Sequence, residues 1–227
     1  PKFERLIMIG DDKQLPAVVL HTDEATRCDD PELQGIALTN YRESLFARLL
    51  YNAQNRGWTD AYGMLEVQYR MHEDIADFPN RQYYGGLLKT GADVQKQPLC
   101  WPHSEHPLHH LFTRRVAFVP TRPDVRSKIN EEEARLVVEL IRYVHQLYGD
   151  KFDPTQTVGV ITPFRAQIAQ IRKLLNGAYT DVTVDTVERF QGSERDVILV
   201  SFAVKSPLQL RAIQSINAEG VDRKLNV

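Results

Sequence analysis

The chain has 227 residues, of which 42% are apolar and 26% are charged, and its formal net charge is −2. This composition is typical of a globular protein with a sizeable core, and it excludes a chain that attracts nucleic acid through a strongly basic overall charge. Any contact with nucleic acid must therefore come from local groups. No apolar run reaches the roughly 18 residues of a membrane-spanning helix, so no membrane partner is expected.

The two cysteines, Cys28 and Cys100, belong to no CxxC pair. This spacing favours a reducing compartment over a disulfide framework. No signal peptide is visible, so we expect an intracellular protein, cytoplasmic if the source is a bacterial-type cell. The sequence opens at Pro1, almost directly before an apolar run, and it ends at Val227 in another, so we expect it to be cut from a longer protein.

The first half of the chain alternates short apolar runs with polar loops. In chain order, the predicted elements are a buried strand over 3–9, a surface loop over 21–40, a helix over 44–51, a short strand over 65–68, a helical stretch over 72–78 that Pro79 ends, and an irregular loop over 90–114. Proline is expected to stop the stretch over 72–78 because it lacks the backbone N–H and clashes with the preceding turn.

In the second half of the chain, predicted strands and helices alternate more regularly. Asn130 and the three glutamates after it are typical of a helix start, and apolar residues then recur at helical spacing to Leu147. The other predicted elements are strands over 116–119, 158–161, 182–184 and 197–202, the last buried on both faces, and a helix over 165–175. This alternation predicts an α/β layered fold with a mostly parallel sheet.

Four polar segments carry candidate chemistry, namely 10–16, 65–72, 160–167 and 184–196. Two of them directly follow predicted strands, and ligands of open α/β sheets bind where strands end. Each segment also has an ordinary structural interpretation. The four alternatives are a polar surface turn, a packed tyrosine beside a surface arginine, a helix cap, and a polar connection between strands.

The chemistry of the individual side chains indicates a phosphate and base site. Asp11 and Gln14 offer an acceptor and an amide, Tyr69 offers a flat face, and Arg70 offers a fork for phosphate oxygens. Thr162, followed by Pro163, either caps the next helix or holds a backbone phosphate of nucleic acid.

Taken in this order, the segments resemble the superfamily 1 helicases, in the branch that includes the nonsense-mediated-decay RNA helicase and the replication helicase-nuclease. The matching motifs are GDDKQLPA at 10–17, ESLFARL at 43–49, QYRMHEDIADFPNRQYYGGLL at 68–88, ITPFRAQ at 161–167, TVERFQGSERDVI at 186–198 and LNV at 225–227. The resemblance implies a RecA-like, P-loop NTPase-type fold with helices on both faces of the sheet. Residues 1–60 would end a first RecA-like domain, and 61–227 would form a second domain truncated in its last motif.

The resemblance also implies roles for matching residues in binding ATP and Mg²⁺. Gln14 would sense the γ-phosphate and Arg70 would contact it, which makes these two the catalytic candidates. Asp11 would lie near the metal-binding acids, and Tyr69 would stack on the adenine.

Further residues of the second domain follow from the same motifs. Gln191, Gly192 and Glu194 would lie on the nucleotide side, with Glu194 near the ribose. The residues implied to touch the nucleic-acid backbone are Thr162, Arg165 and Thr186. The partners would be single-stranded nucleic acid, with DNA favoured over RNA although the sequence does not separate the two, and the rest of the helicase chain, with 5′-to-3′ movement.

The sequence also departs from the family pattern. Glu188 replaces an aspartate and Ala17 replaces a proline, while the GxxxxGK[ST] loop, the acidic pair before residue 1 and the arginine after Val227 are absent. Phosphoryl transfer needs the phosphate loop, the metal and the arginine together, so we expect this chain alone not to hydrolyse ATP.

Three other functions stay open at this point. A non-catalytic, helicase-like module could bind nucleic acid or protein. A zinc site could form from the cysteine and histidines of the irregular loop, which are Cys100, His103, His106, His109 and His110, although a proline-rich loop that happens to hold histidines is the plainer interpretation. A nuclease has little support, because the acidic residues lack a lysine-bearing nuclease pattern.

Overall fold

The structure is a computed structural model that describes residues 4–15, 21–22, 24–122 and 128–213. The helices are α1 (Pro31–Gly35), α2 (Leu45–Asn55), α3 (Glu73–Tyr83), α4 (Glu131–Tyr148), α5 (Arg165–Leu175), α6 (Val187–Phe190) and α7 (Pro207–Ile213). The strands are β1 (Val67–Gln68), β2 (Lys89–Thr90), β3 (Val158–Ile161), β4 (Thr183–Asp185) and β5 (Val197–Val200). Short 3-10 turns lie at Glu24–Thr26, Thr59–Ala61, Asp93–Lys96, His109–Thr113 and Gly149–Lys151.

The strands form two parallel sheets. The larger sheet has the order β4-β3-β5, with Val160 opposite both Val184 and Leu199. The smaller pairs β1 with β2 across α3, with Val67 opposite Lys89. Parallel neighbours need a crossover, and α5 supplies the one between β3 and β4. The predicted α/β fold with mostly parallel strands is confirmed.

Helix α4 begins and ends where its sequence predicts. The Asn130 side chain accepts a hydrogen bond from the backbone N–H of Glu133 at 3.1 Å, and the three glutamates of the first turn suit the positive end of the helix dipole. The helix ends at Tyr148, and Gly149 follows as its C-cap with a φ of 54°, which favours glycine. Its buried stripe runs along one face and consists of Ala134, Val137, Val138, Leu140, Ile141, Tyr143 and Val144.

This stripe packs with α5 on the larger sheet to form the core. Val158 and Val160 of β3 are fully buried against it, as are Ile171 of α5 and Val182 before β4. The opposite face of β3 presents Gly159, beside which the Phe190 ring of α6 packs. Because successive residues of a strand point to opposite faces, β3 is covered from both sides.

A buried polar network ties the start of α4 to the end of β5. The Gln167 side chain accepts from the backbone N–H of Asn130 at 2.9 Å and donates to the carbonyl of Asn130 at 3.0 Å and to Ser201 Oγ at 2.9 Å. Glu133 Oε2 accepts from Ser201 Oγ at 2.8 Å and from the backbone N–H of Ala203 at 2.9 Å. Satisfied polar groups of this kind fix one arrangement of the layers, because a broken partner would be left buried and unpaired.

Two predicted strands are wrong. Residues 4–9 form no strand, and Ile7 and Ile9 are each 87% exposed; Phe3 lies outside the described residues. Residues 116–119 are also unpaired, with Phe118 exposed. A strand requires a neighbour that accepts its backbone hydrogen bonds, and no described strand runs beside either segment.

Other boundaries differ from the prediction. Pro79 does not end its helix, since α3 continues through it to Tyr83. The strand over 197–202 ends at Val200 and alternates half-buried with exposed residues, so it is not covered on both faces. The loop over 21–40 contains α1, which Asp30 caps by accepting from two backbone N–H groups.

The remaining boundaries agree closely. The helix over 44–51 begins as predicted and extends to Asn55, and the loop over 90–114 is irregular apart from its 3-10 turns. The strand over 158–161 and the helix over 165–175 match β3 and α5, and the strand over 182–184 lies one residue further along as β4.

Candidate nucleotide and nucleic-acid site

The Gln68 side chain builds the loop that presents Tyr69 and Arg70. Its Oε1 accepts from the backbone N–H groups of Arg70 at 3.0 Å and Met71 at 2.8 Å. Its Nε2 donates to the carbonyl of Met71 at 2.7 Å and to Thr90 Oγ1 at 3.2 Å. The four bonds fold the chain between β1 and α3 into one conformation. Sequence reasoning had not assigned Gln68 a role, although it opens the QYRMH motif.

The loop turns Tyr69 and Arg70 toward solvent. Tyr69 is 71% exposed, and its ring lies beside Gly91, the residue that follows β2. Arg70 Nε donates to Glu194 Oε2 at 3.0 Å. The Arg70 and Glu194 side chains are both exposed, so this ion pair is weak and either partner can be replaced.

Glu194 belongs to the loop between α6 and β5. Gly192 in this loop has a φ of 81°, a backbone conformation that glycine adopts without strain, and it produces the turn. Gln191 precedes the turn, and its Nε2 donates to the carbonyl of Leu15 at 3.3 Å. The loop over 191–194 thus contacts both the Arg70 segment and the segment over 10–15.

Asp11 organises the segment over 10–15. Its Oδ2 accepts from Gln14 Nε2 at 2.7 Å and from the Tyr84 hydroxyl at 2.7 Å, and its Oδ1 accepts from the backbone N–H of Lys13 at 3.0 Å. Partial burial is the main cause that raises the pKa of Tyr84 above its ordinary value, and the hydrogen bond to Asp11 is the second. The phenol therefore remains a donor at neutral pH. Sequence reasoning missed Tyr84, whose signal was its place in the long motif over 68–88.

Seven predicted residues therefore lie in three adjoining segments. These are Asp11, Gln14, Tyr69, Arg70, Gln191, Gly192 and Glu194. Gly10 lets the first segment lie close to α2, since a Cβ at Gly10 would lie 3.3 Å from the ring of Phe46. The three segments together offer an exposed aromatic ring, a guanidinium, two carboxylates and two amides.

The three nucleic-acid candidates lie at one edge of the larger sheet. Thr162 follows β3, and its backbone N–H donates to the carbonyl of Asp185 at the end of β4 at 3.1 Å. Arg165 is exposed at the first position of α5, and Thr186 is half-buried at the cap of α6.

Thr162 differs from its two neighbours in accessibility. It is fully buried, and its hydroxyl has no hydrogen-bond partner among the described residues. It does not cap α5 either, because that helix begins at Arg165 with Phe164 at the cap position. The structure therefore places Thr162 beside Thr186 and Arg165, where β3 and β4 end, without exposing its hydroxyl.

The histidine-rich loop packs against α4. The His106 ring stacks on the Tyr143 ring with centroids 4.1 Å apart, and His109 Nδ1 lies 2.7 Å from the Tyr143 hydroxyl. Within the ranges that the structure describes, no group of three His, Cys, Asp or Glu side chains could hold a metal ion. Nor does any described helix have the length and apolar character needed to cross a membrane.

Comparisons with known proteins show which family the chain resembles. A family model described as "AAA domain" matches residues 41–227. Helicase SEN1 of Saccharomyces cerevisiae is 32% identical over 209 residues, which cover 87% of this chain and 8% of SEN1. The uncharacterized ATP-dependent helicase MJ0104 of Methanocaldococcus jannaschii is 32% identical over 212 residues, covering 88% of this chain and 28% of the relative.

A third relative carries a more specific name. The DNA polymerase alpha-associated DNA helicase A of Saccharomyces cerevisiae is 30% identical over 217 residues, which cover 88% of this chain and 29% of the relative. The chain thus spans less than a third of the length of each of these three helicases.

Proposed function

Since this chain belongs to the AAA domain family, and to the superfamily 1 helicases in the branch that includes SEN1, we propose that it is part of a longer ATP-dependent helicase. Residues 1–60 end the first RecA-like domain, and 61–227 form the second, whose last motif, at 225–227, lies outside the described residues. The chain supplies the second-domain side of the ATP cleft and part of the track for single-stranded nucleic acid.

The observation that carries this proposal is the convergence of three distant segments. Arg70 reaches Glu194 across 124 positions of the chain, and Gln191 reaches Leu15 across 176. Each segment contributes groups suited to one nucleotide, and nothing in the local packing of a surface turn requires all three to meet.

The proposed roles follow from the chemistry of each group. The exposed Tyr69 ring stacks on the adenine. Arg70 exchanges Glu194 for the γ-phosphate, because the exposed ion pair is worth about 0–1 kcal/mol and a phosphate group offers more charge. Glu194 is then released toward the ribose. Gln14 senses the γ-phosphate through its amide.

The Asp11 carboxylate suits the neighbourhood of a magnesium ion. Oxygen ligands are those that Mg²⁺ prefers, and Tyr84 and Gln14 hold this carboxylate in place. When bound, Mg²⁺ neutralises charge on the phosphates during transfer. Gln191 and Gly192 shape the opposite wall of the cleft.

The proposed nucleic-acid track runs along the edge where β3 and β4 end. Arg165 and Thr186 contact phosphate and sugar oxygens there, so sequence preference is slight. Thr162 joins them after a small opening of this edge that exposes its hydroxyl. We propose single-stranded DNA as the substrate, in line with the name of the DNA helicase A relative, and 5′-to-3′ movement.

A strand-displacement assay of the full-length protein tests the proposal. We expect ATP-dependent release of a labelled strand from a DNA duplex with a 5′ overhang and none with a 3′ overhang. Matched RNA duplexes show whether DNA is preferred. Binding of nucleic acid without ATP turnover would instead support a non-catalytic binding module, and displacement from the 3′ overhang alone would reverse the polarity.

Arg165→Ala gives a graded test of the track. We expect weaker binding to all single-stranded sequences alike, with the slope of log K against log salt concentration reduced by about 1, because one phosphate contact is lost. Fluorescence anisotropy of the full-length protein at several salt concentrations measures this. Arg142→Ala removes an exposed arginine of α4 and should leave the slope unchanged. Equal slopes for the Arg165 variant and wild type would remove Arg165 from the track.

A further inference from the structure

Gly91 lies against the side chains of Val67 and Tyr69. Its backbone N–H donates to the carbonyl of Gln68 at 2.9 Å, which continues the pairing of β2 with β1 by one residue. A Cβ built on Gly91 would lie 2.6 Å from Cζ of Tyr69 and 2.7 Å from Cγ1 of Val67. Real Cβ atoms essentially never approach other atoms this closely, so the absence of a side chain at position 91 is what allows the Tyr69 ring its place.

The ring is supported on one side and open on the other. Val67 lies on β1 and Tyr69 directly follows this strand, two residues further along, and both side chains lie against Gly91. Tyr69 nevertheless keeps 71% of its surface exposed. The Gln68 side chain fixes the backbone on the far side of Tyr69 through Arg70 and Met71. The ring is thus held in place before any base arrives, which lowers the entropy cost of stacking.

We infer that Gly91 is a positioning residue for the nucleotide base, acting through Tyr69, an inference that rests on the proposed ATP site. It touches no nucleotide itself. An alanine at position 91 forces the ring away from its seat or tilts it, and a displaced ring loses its stacking partner while the phosphate contacts of Arg70 and Gln14 persist.

The experiment compares two ligands in the full-length protein. ATP and ribose 5′-triphosphate, which lacks the base, each compete with a fluorescent ATP analogue. For Gly91→Ala we expect a roughly tenfold higher Kd for ATP, as for loss of one base–aromatic stack, and an unchanged Kd for ribose 5′-triphosphate. In turnover, KM for ATP should rise while kcat stays constant, because the stack contributes equally to ground and transition states.

Two comparisons separate positioning from a merely structural role. Gly63→Ala is the matched control, since a Cβ there meets nothing within 4 Å, and it should bind both ligands as wild type does. In a Tyr69→Ala background, adding Gly91→Ala should cause no further loss of ATP affinity, because the ring through which Gly91 acts is gone.

The contradicting outcomes are distinct. If wild type binds ATP and Gly91→Ala binds it equally well, the inference fails and the proposed function stands. The inference also fails if the variant loses both ligands alike, or if it still weakens ATP binding in the Tyr69→Ala background. If the wild-type full-length protein binds no ATP, the proposed function fails and the inference with it.

Discussion

Replacing Arg70 by alanine is expected to reduce kcat for ATP hydrolysis by the full-length protein roughly a thousandfold, the lower end of the range for an arginine that stabilises charge on a transferring phosphoryl group. Arg70 lies on a loop that Gln68 fixes, and its guanidinium is exposed beside Glu194 at 3.0 Å. KM for ATP should change far less than kcat, because the contact strengthens as charge develops on the phosphate. Steady-state turnover at saturating single-stranded DNA measures both constants.

Arg135→Ala is the matched control for this change. Arg135 is an exposed arginine paired with a glutamate, as Arg70 is, but it lies on α4 and its partner is Glu131 at 2.5 Å. Its side chain is 63% exposed, against 60% for Arg70. We expect Arg135→Ala to retain wild-type kcat. A full kcat for Arg70→Ala would show that the guanidinium serves only its ion pair with Glu194.

Replacing Leu175 by alanine is expected to destabilise the core strongly. Leu175 is 3% exposed at the end of α5, and its side chain belongs to the core shared by α4, α5 and the larger sheet. Loss of a buried leucine side chain leaves a cavity and costs about 3 kcal/mol. In the full-length protein, the amide hydrogens of β3 should therefore exchange roughly a hundredfold faster.

Leu208→Ala makes the same chemical change at a surface position. Leu208 is 77% exposed on α7, so its truncation should alter the exchange of β3 little. Hydrogen exchange followed by mass spectrometry resolves the two cases, because the peptide that contains β3 is read directly. Equal exchange in Leu175→Ala and wild type would mean that this end of α5 does not hold the sheet.

The elements predicted most accurately are those whose signals are local. Helix α4 carries its own cap at Asn130, acids in its first turn, an apolar stripe and a glycine stop. The two predicted strands that do not form, over 3–9 and 116–119, have apolar sequences, as the strands that do form have. A strand, however, depends on a neighbour that may be far away in sequence, and apolar composition does not reveal whether that neighbour is present. Pro79 shows the reverse error, since α3 continues through a residue type that usually ends a helix.

Some residues of the candidate site could also be predicted from the sequence, and others could not. Residues with charged or polar side chains, such as Arg70 and Gln14, stand out in sequence because their chemistry is visible in the residue type. Gln68 fixes the loop of Tyr69 and Arg70 through bonds to its backbone, and Gly91 leaves room for the Tyr69 ring. Neither property can be read from a residue name. The burial of Thr162 was equally hidden, because it depends on how the end of β3 packs beneath its neighbours.

Photolabelling of the full-length protein with 8-azido-ATP tests the central proposal most directly, since the reactive group sits on the adenine. After digestion, we expect the label on a peptide that contains Tyr69, with incorporation suppressed by excess ATP and by the Tyr69→Ala substitution. Label that ATP does not suppress, or label confined to peptides outside the segments over 10–15, 68–72 and 191–194, would contradict the placement of the nucleotide in this cleft.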